Sequence, residues 1–132
     1  MRKYLTGISI LLITFCLLIN QSVNAANFNE SLINIRGEIN RDNLDEAIKK
    51  LKKITVTNKN EQEQINILFG DIYLKINQPQ KAEEFYNENL FTSDDKIEAL
   101  TFNGLAEIRL IQGRLNDANK YSEKSIKLNN NK

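Results

Sequence analysis

The stretch GEINRDNLDEAIKKL, residues 37–51, sets a short polar turn directly before an amphipathic helix, and its reading decides the fold because it recurs. Aligning DEAIKKL from Asp45, KAEEFY from Lys81 and DANKYS from Asp117 superposes Ala47, Ala82 and Ala118, which are 35 and 36 residues apart. Five residues before each alanine stand Asp42, Asn77 and Gly113, all residue types that favour turns. Twelve before stand Ile35, Gly70 and Ala106, small in the second and third copies only. A fixed period of this length marks a stack of like units, none of which hides its apolar face alone.

Between these landmarks the apolar residues step at helical intervals: Ile65, Phe69, Ile72 and Ile76 in one segment, Leu105, Ile108 and the pair Leu110/Ile111 in another. The helix ends are signalled too. Asn43 is placed to cap a second helix, with Glu46 three residues on to complete a capping box. Pro79 fits the first turn of a fourth helix, where its missing N–H costs nothing. Ser93 with Asp94 and Asp95 reads as the start of a fifth, and Gly113 as its end. These signals predict six helices in three hairpins, spanning residues 26–132 as copies of about 28–59, 63–92 and 99–130.

The residues resemble the tetratricopeptide repeat (TPR) family, a helix-turn-helix of about 34 residues with a small residue and an aromatic in its first helix and an alanine in its second. The second copy, LFGDIYLKINQPQKAEEFY, matches best, through Gly70, Tyr73, Ala82 and Tyr86. In the third, Phe102, Leu105, Ala106, Gly113 and Ala118 match, while Arg109 and Ser122 stand where the family favours aromatics. The first copy, from about Phe28 to Thr57, keeps Ala47, Leu51 and Ile54. No copy ends on the family's usual proline. The resemblance implies an all-α fold, a right-handed α-α superhelix (solenoid) of about three hairpins with a concave surface. In such a stack Ala47, Ala82 and Ala118 mark the closest helix approaches, served from the other helix by Gly70 and Ala106. Asn119, Ser122 and Ser125 read as the solvated end of a complete array.

Composition bounds the chemistry. The 132 residues carry 18 Lys plus Arg, 17 Asp plus Glu, one Cys and no His, enough chain for one small domain. Residues 1–25, MRKYLTGISILLITFCLLINQSVNA, have the charged start, apolar run and small-residue end of a secretory signal peptide, with cleavage expected after Ala25. The apolar run from Leu5 to Ile19 is shorter than the roughly 20 residues of a membrane-spanning helix. The alternative is an uncleaved N-terminal segment anchored in the inner membrane. Phe15 before Cys16 does not suit a lipoprotein site, so Cys16 leaves with the leader. Frequent Asn, Ile and Lys, with A/T-rich codons, point to a bacterial source, so the expected location is periplasmic or secreted.

Loss of Arg2 and Lys3 takes the basic count from 18 to 16, against 17 acids, and leaves no net positive charge to hold nucleic acid. Without Cys or His the exported chain has no disulfide, thiol nucleophile, imidazole metal site or Ser-His pair. No cofactor and no enzyme activity are expected.

The resemblance also implies where a partner lies: along the first helix of each hairpin. Its positions here are Asn29, Leu32, Ile33 and Arg36; Gln64, Ile67, Leu68, Asp71 and Lys75; and Leu100, Asn103, Glu107 and Ile111. Leu32, Leu68 and Leu100 are equally readable as core. In one subset of the family, Lys, Asn and Arg grip an acidic chaperone tail. Here Leu32, Leu68, Leu100 and Gly104 stand at those places with only Arg36 polar, so that role is not expected. Ile33, Ile67 and Ile111 would anchor a peptide, and Arg36, Asp71, Asn103 and Glu107 would set its register. Asp71 and Glu107, at matched positions, also raise an alternative: a small carboxylate-dependent enzyme or carbohydrate-active protein. KKLKK, residues 49–53, reads as a solvated face held by the pairs Asp45–Lys49 and Glu46–Lys50. The expected function is that of an adaptor or assembly factor of the cell envelope binding a protein or peptide, with self-association through exposed end faces as a further possibility.

Overall fold

The computed structural model describes residues 26–130; the predicted leader and its cleavage point lie outside the described residues. The described chain is all-helical. Its elements are α1 (residues 26–40), α2 (Leu44–Leu51), α3 (Lys59–Lys75), α4 (Pro79–Asn87), α5 (Asp95–Ile111) and α6 (Leu115–Asn130). None of the described helices is long and apolar enough to cross a membrane.

The three tight turns are copies of one another. Asp42, Asn77 and Gly113 have φ of 62°, 57° and 71°, and they are the only described residues with positive φ. Each sits just past a helix and closes the same pair of hydrogen bonds. The N–H of Asp42, Asn77 and Gly113 donates three residues back, to the carbonyls of Ile39, Leu74 and Leu110. The N–H of the following residue, Asn43, Gln78 or Arg114, donates five back, to Glu38, Tyr73 or Arg109, at 2.8–2.9 Å. This is the Schellman ending, which needs a left-handed residue and satisfies the last carbonyls of the helix. Asn and Asp tolerate that conformation and Gly prefers it, so three different residue types serve one geometry.

Capping differs in part from expectation. Pro79 is in the first turn of α4 as predicted. Asn43 makes no side-chain cap; its amide donates instead to Glu38 Oε2 at 3.0 Å, and its backbone, at φ −83° and ψ 59°, is not in the extended conformation typical of a cap. Within the predicted start Ser93-Asp94-Asp95, Asp94 is the cap of α5, with Oδ1 accepting from the N–H of Lys96 and Ile97. Asn58 caps α3, accepting from Glu61 N–H at 2.9 Å, while Glu61 reaches back to the N–H and hydroxyl of Thr57. α3 and α5 therefore start at Lys59 and Asp95, four residues before the predicted second and third copies.

Packing is between neighbours: α2 on α3, α3 on α4, α4 and α3 on α5, and α5 on α6. Two apolar clusters share α3. On one side Ile65, Leu68 and Ile72 join Phe28, Leu32, Ile35, Ile39, Ala47 and Leu51. On the other, Ile67 meets Ala82, Tyr86, Ile97, Phe102, Leu105 and Ile108. Ala47, Ala82 and Ala118 are all buried at 2% exposure or less, as close helix approaches require. Of the predicted helical stripes, the pair Leu110/Ile111 departs: its members are 54% and 51% exposed. Ser125, expected at a solvated end, is buried and donates its hydroxyl to the Ala99 carbonyl at 2.9 Å, tying α6 to α5.

The tightest contact surrounds Tyr86. A Cβ on Gly70 would lie 2.5 Å from its ring, and one on Gly104 closer still. The ring of α4 thus passes between the backbones of α3 and α5. Gly70 was legible as a close-approach residue; Gly104 was not. Ala106, expected to serve that approach, is buried beside it. Tyr73 instead stacks with Phe69 and Phe85 at 6.4 and 5.5 Å between centroids.

Candidate partner-binding row

One side chain from each odd-numbered helix falls at the same register: Arg36 on α1, Asp71 on α3 and Glu107 on α5, 35 and 36 residues apart. Arg36 and Glu107 are exposed and Asp71 half-buried. Arg36 and Glu107 are each close enough to act on Asp71. Burial pushes the Asp71 carboxyl above its ordinary range, and the charge of Glu107 adds to that push. The bond from the Tyr86 hydroxyl, 2.6 Å to Oδ1, opposes it, as do the charges of Arg36 and Lys75. Tyr86 in turn is held strongly protonated, by burial first and then by the facing Asp71 charge. Arg36, Asp71, Lys75 and Glu107 therefore form one electrostatic cluster over the crossing of α3, α4 and α5.

Around this cluster the predicted residues divide. Asn29, Lys75, Asn103, Glu107, Leu100 and Ile111 are exposed, and Gln64 is half-buried with its amide on Asn60 Oδ1 at 2.8 Å. Ile67, expected as an anchor, is 5% exposed and belongs to the second apolar cluster, so it offers no surface to a partner. Leu32 and Leu68 are core. Ile33 is 70% exposed but shares its register with Leu68 and Gly104, which both face the preceding helix pair. By that register its side chain lies on the side of α1 that no described helix pair covers. What remains is a row of charge and amide with Leu100 and Ile111 on α5 as its exposed apolar members. α3 is more buried at these positions than α1 or α5, because it has a helix pair packed on both sides.

The basic run also rearranges. Lys49 pairs with Glu46 at 3.4 Å rather than with Asp45. Lys50 crosses to α1, where Nζ donates to Glu38 Oε1 at 2.6 Å and Asn34 Oδ1 at 2.7 Å. Lys50, Asn43 and Arg41 together hold the Glu38 carboxyl at about 2. Helix spacing alone pointed to pairs within α2; the partner across the turn appears only once α1 and α2 pack.

Sequence reasoning missed two concavities. One of about 670 Å³ opens between α1, α2 and the segment leading to α3, over Phe28, Ile35 and Ile54, with Ser31, Asn34 and Lys50 on its rim. The other, of about 500 Å³, lies along α6, where Arg109 and Lys124 stand over the Tyr121 ring at 5.8 and 5.7 Å. Arg109 is itself held by Glu83 at 2.5 Å. Among the described residues no three acidic, Cys or His side chains gather as a metal site. Comparison with family models, with curated proteins and with solved structures returned no match.

Proposed function

We propose that this chain is a TPR-like helical solenoid that works by holding another polypeptide, as an exported adaptor or assembly factor. The observation that carries the reading is the triplicate turn. Residues 42, 77 and 113 adopt the same left-handed conformation with the same hydrogen bonds, and a buried alanine follows each by five residues. Units that repeat in backbone as well as in sequence, and that pack on their neighbours, are the physical basis of a solenoid. The matched row Arg36, Asp71 and Glu107, flanked by Gln64, Lys75, Asn103 and Ile111, is where the first helices offer mixed charge and amide, exposed except at the half-buried Asp71 and Gln64. It favours a partner read by charge and hydrogen bonding, with Leu100 and Ile111 supplying apolar contact.

Site-specific crosslinking tests this. A photoreactive side chain at Asn103 or Glu107 in cells should trap a discrete protein adduct that the same group at the exposed Glu84 of α4 does not. Reversing Arg36 and Lys75 to Glu should abolish it while leaving the helical signal intact. Equal labelling from both faces would sink the reading. The competing enzyme reading draws on one observation, the raised carboxyl of Asp71 beside Glu107. The variant D71N/E107Q separates the two: loss of a hydrolytic turnover with retained crosslinking would favour catalysis, and loss of the adduct favours the adaptor.

A further inference from the structure

We propose that α6 pairs with the α6 of a second copy, antiparallel about a two-fold axis, through the stripe Leu115, Asn119, Ser122 and Ile126. This rests on the repeat reading above. Registers that the earlier hairpins pack inward are wholly or partly exposed in the third. Ile39 in the first hairpin and Leu74 in the second pack in the clusters that join each hairpin to the next, while Leu110, at the same register in the third, is 54% exposed. Leu51 and Tyr86 are buried at another shared register, where the third hairpin has the half-buried Ser122. Leu90 packs against the second cluster, and its counterpart Ile126 is 58% exposed. The α6 face is thus the one that, twice within the chain, covers a neighbouring helix pair, and among the described residues no third pair covers it.

The chemistry of the stripe selects the occupant. Residues 115, 119, 122 and 126 line one side of α6, bordered by the buried Ala118 and Ser125, and of the four only Ser122 is half-buried. Leu115, at 62% exposure, and Ile126 end the stripe, and the small polar Asn119 and Ser122 fill its middle. None of the four is charged. The order apolar, polar, polar, apolar reads the same in both directions, so antiparallel helices set Leu115 against Ile126 and Asn119 against Ser122 at both ends at once. Such self-complementarity is what a two-fold interface requires. Head-to-tail stacking lacks it. At the registers of Ile65, Leu68, Phe69 and Ile72, with which α3 meets the first hairpin, α1 presents Glu30, the exposed Ile33, Asn34 and Gly37. A second copy's α1 end would therefore offer one apolar side chain, Ile33, set between charge and amide, where the stripe carries two, Leu115 and Ile126.

Sedimentation of the full chain and of the chain from Ala26, over a range of concentrations, should show a monomer–dimer equilibrium in both. Leu115→Lys with Ile126→Lys should weaken it at least about tenfold with unchanged helical signal, since both side chains are exposed. Geometry is read by thiols in the Cys-free chain from Ala26: mixing Leu115→Cys with Ile126→Cys chains should give mixed disulfide dimers far in excess of either homodimer. Monomer at every concentration, oligomers that keep growing, or homodimeric disulfides in preference to mixed ones would each overturn the proposal. None of these outcomes bears on crosslinking from Asn103, so the groove reading fails or stands separately.

Discussion

The Tyr86 hydroxyl reaches Asp71 Oδ1 at 2.6 Å from a side chain with no exposed surface. It does so because the ring slides between two helices that carry only hydrogen where it passes, at Gly70 and Gly104. The same side chain therefore fills the second apolar cluster and holds the half-buried central carboxylate of the row. Core packing and the candidate binding surface are joined through one residue.

Gly104→Ala and Gly70→Ala should both destabilise the protein. A methyl in a helix interior gains about 1 kcal/mol over glycine, but here it meets the Tyr86 ring, and overpacking costs about 1–3 kcal/mol. Urea midpoints should fall for both single variants. In a Tyr86→Leu background the penalty should shrink toward zero, and a full-sized loss there would mean that the ring is not what the methyl strikes.

Tyr86→Phe keeps the ring and removes only the donor. Leaving a half-buried carboxylate without this bond should cost about 1–3 kcal/mol, whereas Asp71→Asn retains an acceptor and the fold. The pH dependence separates these effects. Asp71 has its folded pKa raised, so its ionised form weakens the fold, and its contribution improves as pH falls through that raised value. Stability of D71N relative to the parent should accordingly be greater at neutral pH than under acid. A constant difference would show that Asp71 titrates normally.

Glu38 acts with the opposite sign. Its carboxyl is lowered to about 2 by Lys50, Asn43 and Arg41, so its contribution is complete above the ordinary Glu range and is lost as pH falls toward 2. Glu38→Gln should flatten the acid limb of the stability curve over that interval and leave the rest of the curve in shape. Its readout is the unfolding midpoint measured at steps between neutral pH and strong acid.

The turns predict an asymmetry. Gly113 has open space around its missing side chain and φ of 71°, so Gly113→Ala carries only the left-handed cost, about 1–2 kcal/mol. Asn77→Gly relieves that cost at φ 57° while loosening the unfolded chain, and should be near neutral. Thermal midpoints of the two variants check this directly. A drop at Asn77→Gly as large as at Gly113→Ala would show that the Asn77 side chain, rather than the backbone turn, stabilises that corner.

The local terms were legible in the sequence. A residue's tolerance of a left-handed turn, an alanine's size and a proline's missing N–H belong to the residue itself, so the positions of Asp42, Asn77, Gly113, Ala47, Ala82, Ala118 and Pro79 could be read before any packing was known. From them came the all-helical class and the helix–turn–helix period. Only the tertiary structure decided which face of each helix meets which neighbour. It buried Ile67, left Ile33 exposed, drew Lys50 across to Glu38 and placed Gly104 against Tyr86, because a side chain's partner across a helix interface depends on the rotation and spacing of two backbones. Neither quantity is written at any single position of the chain.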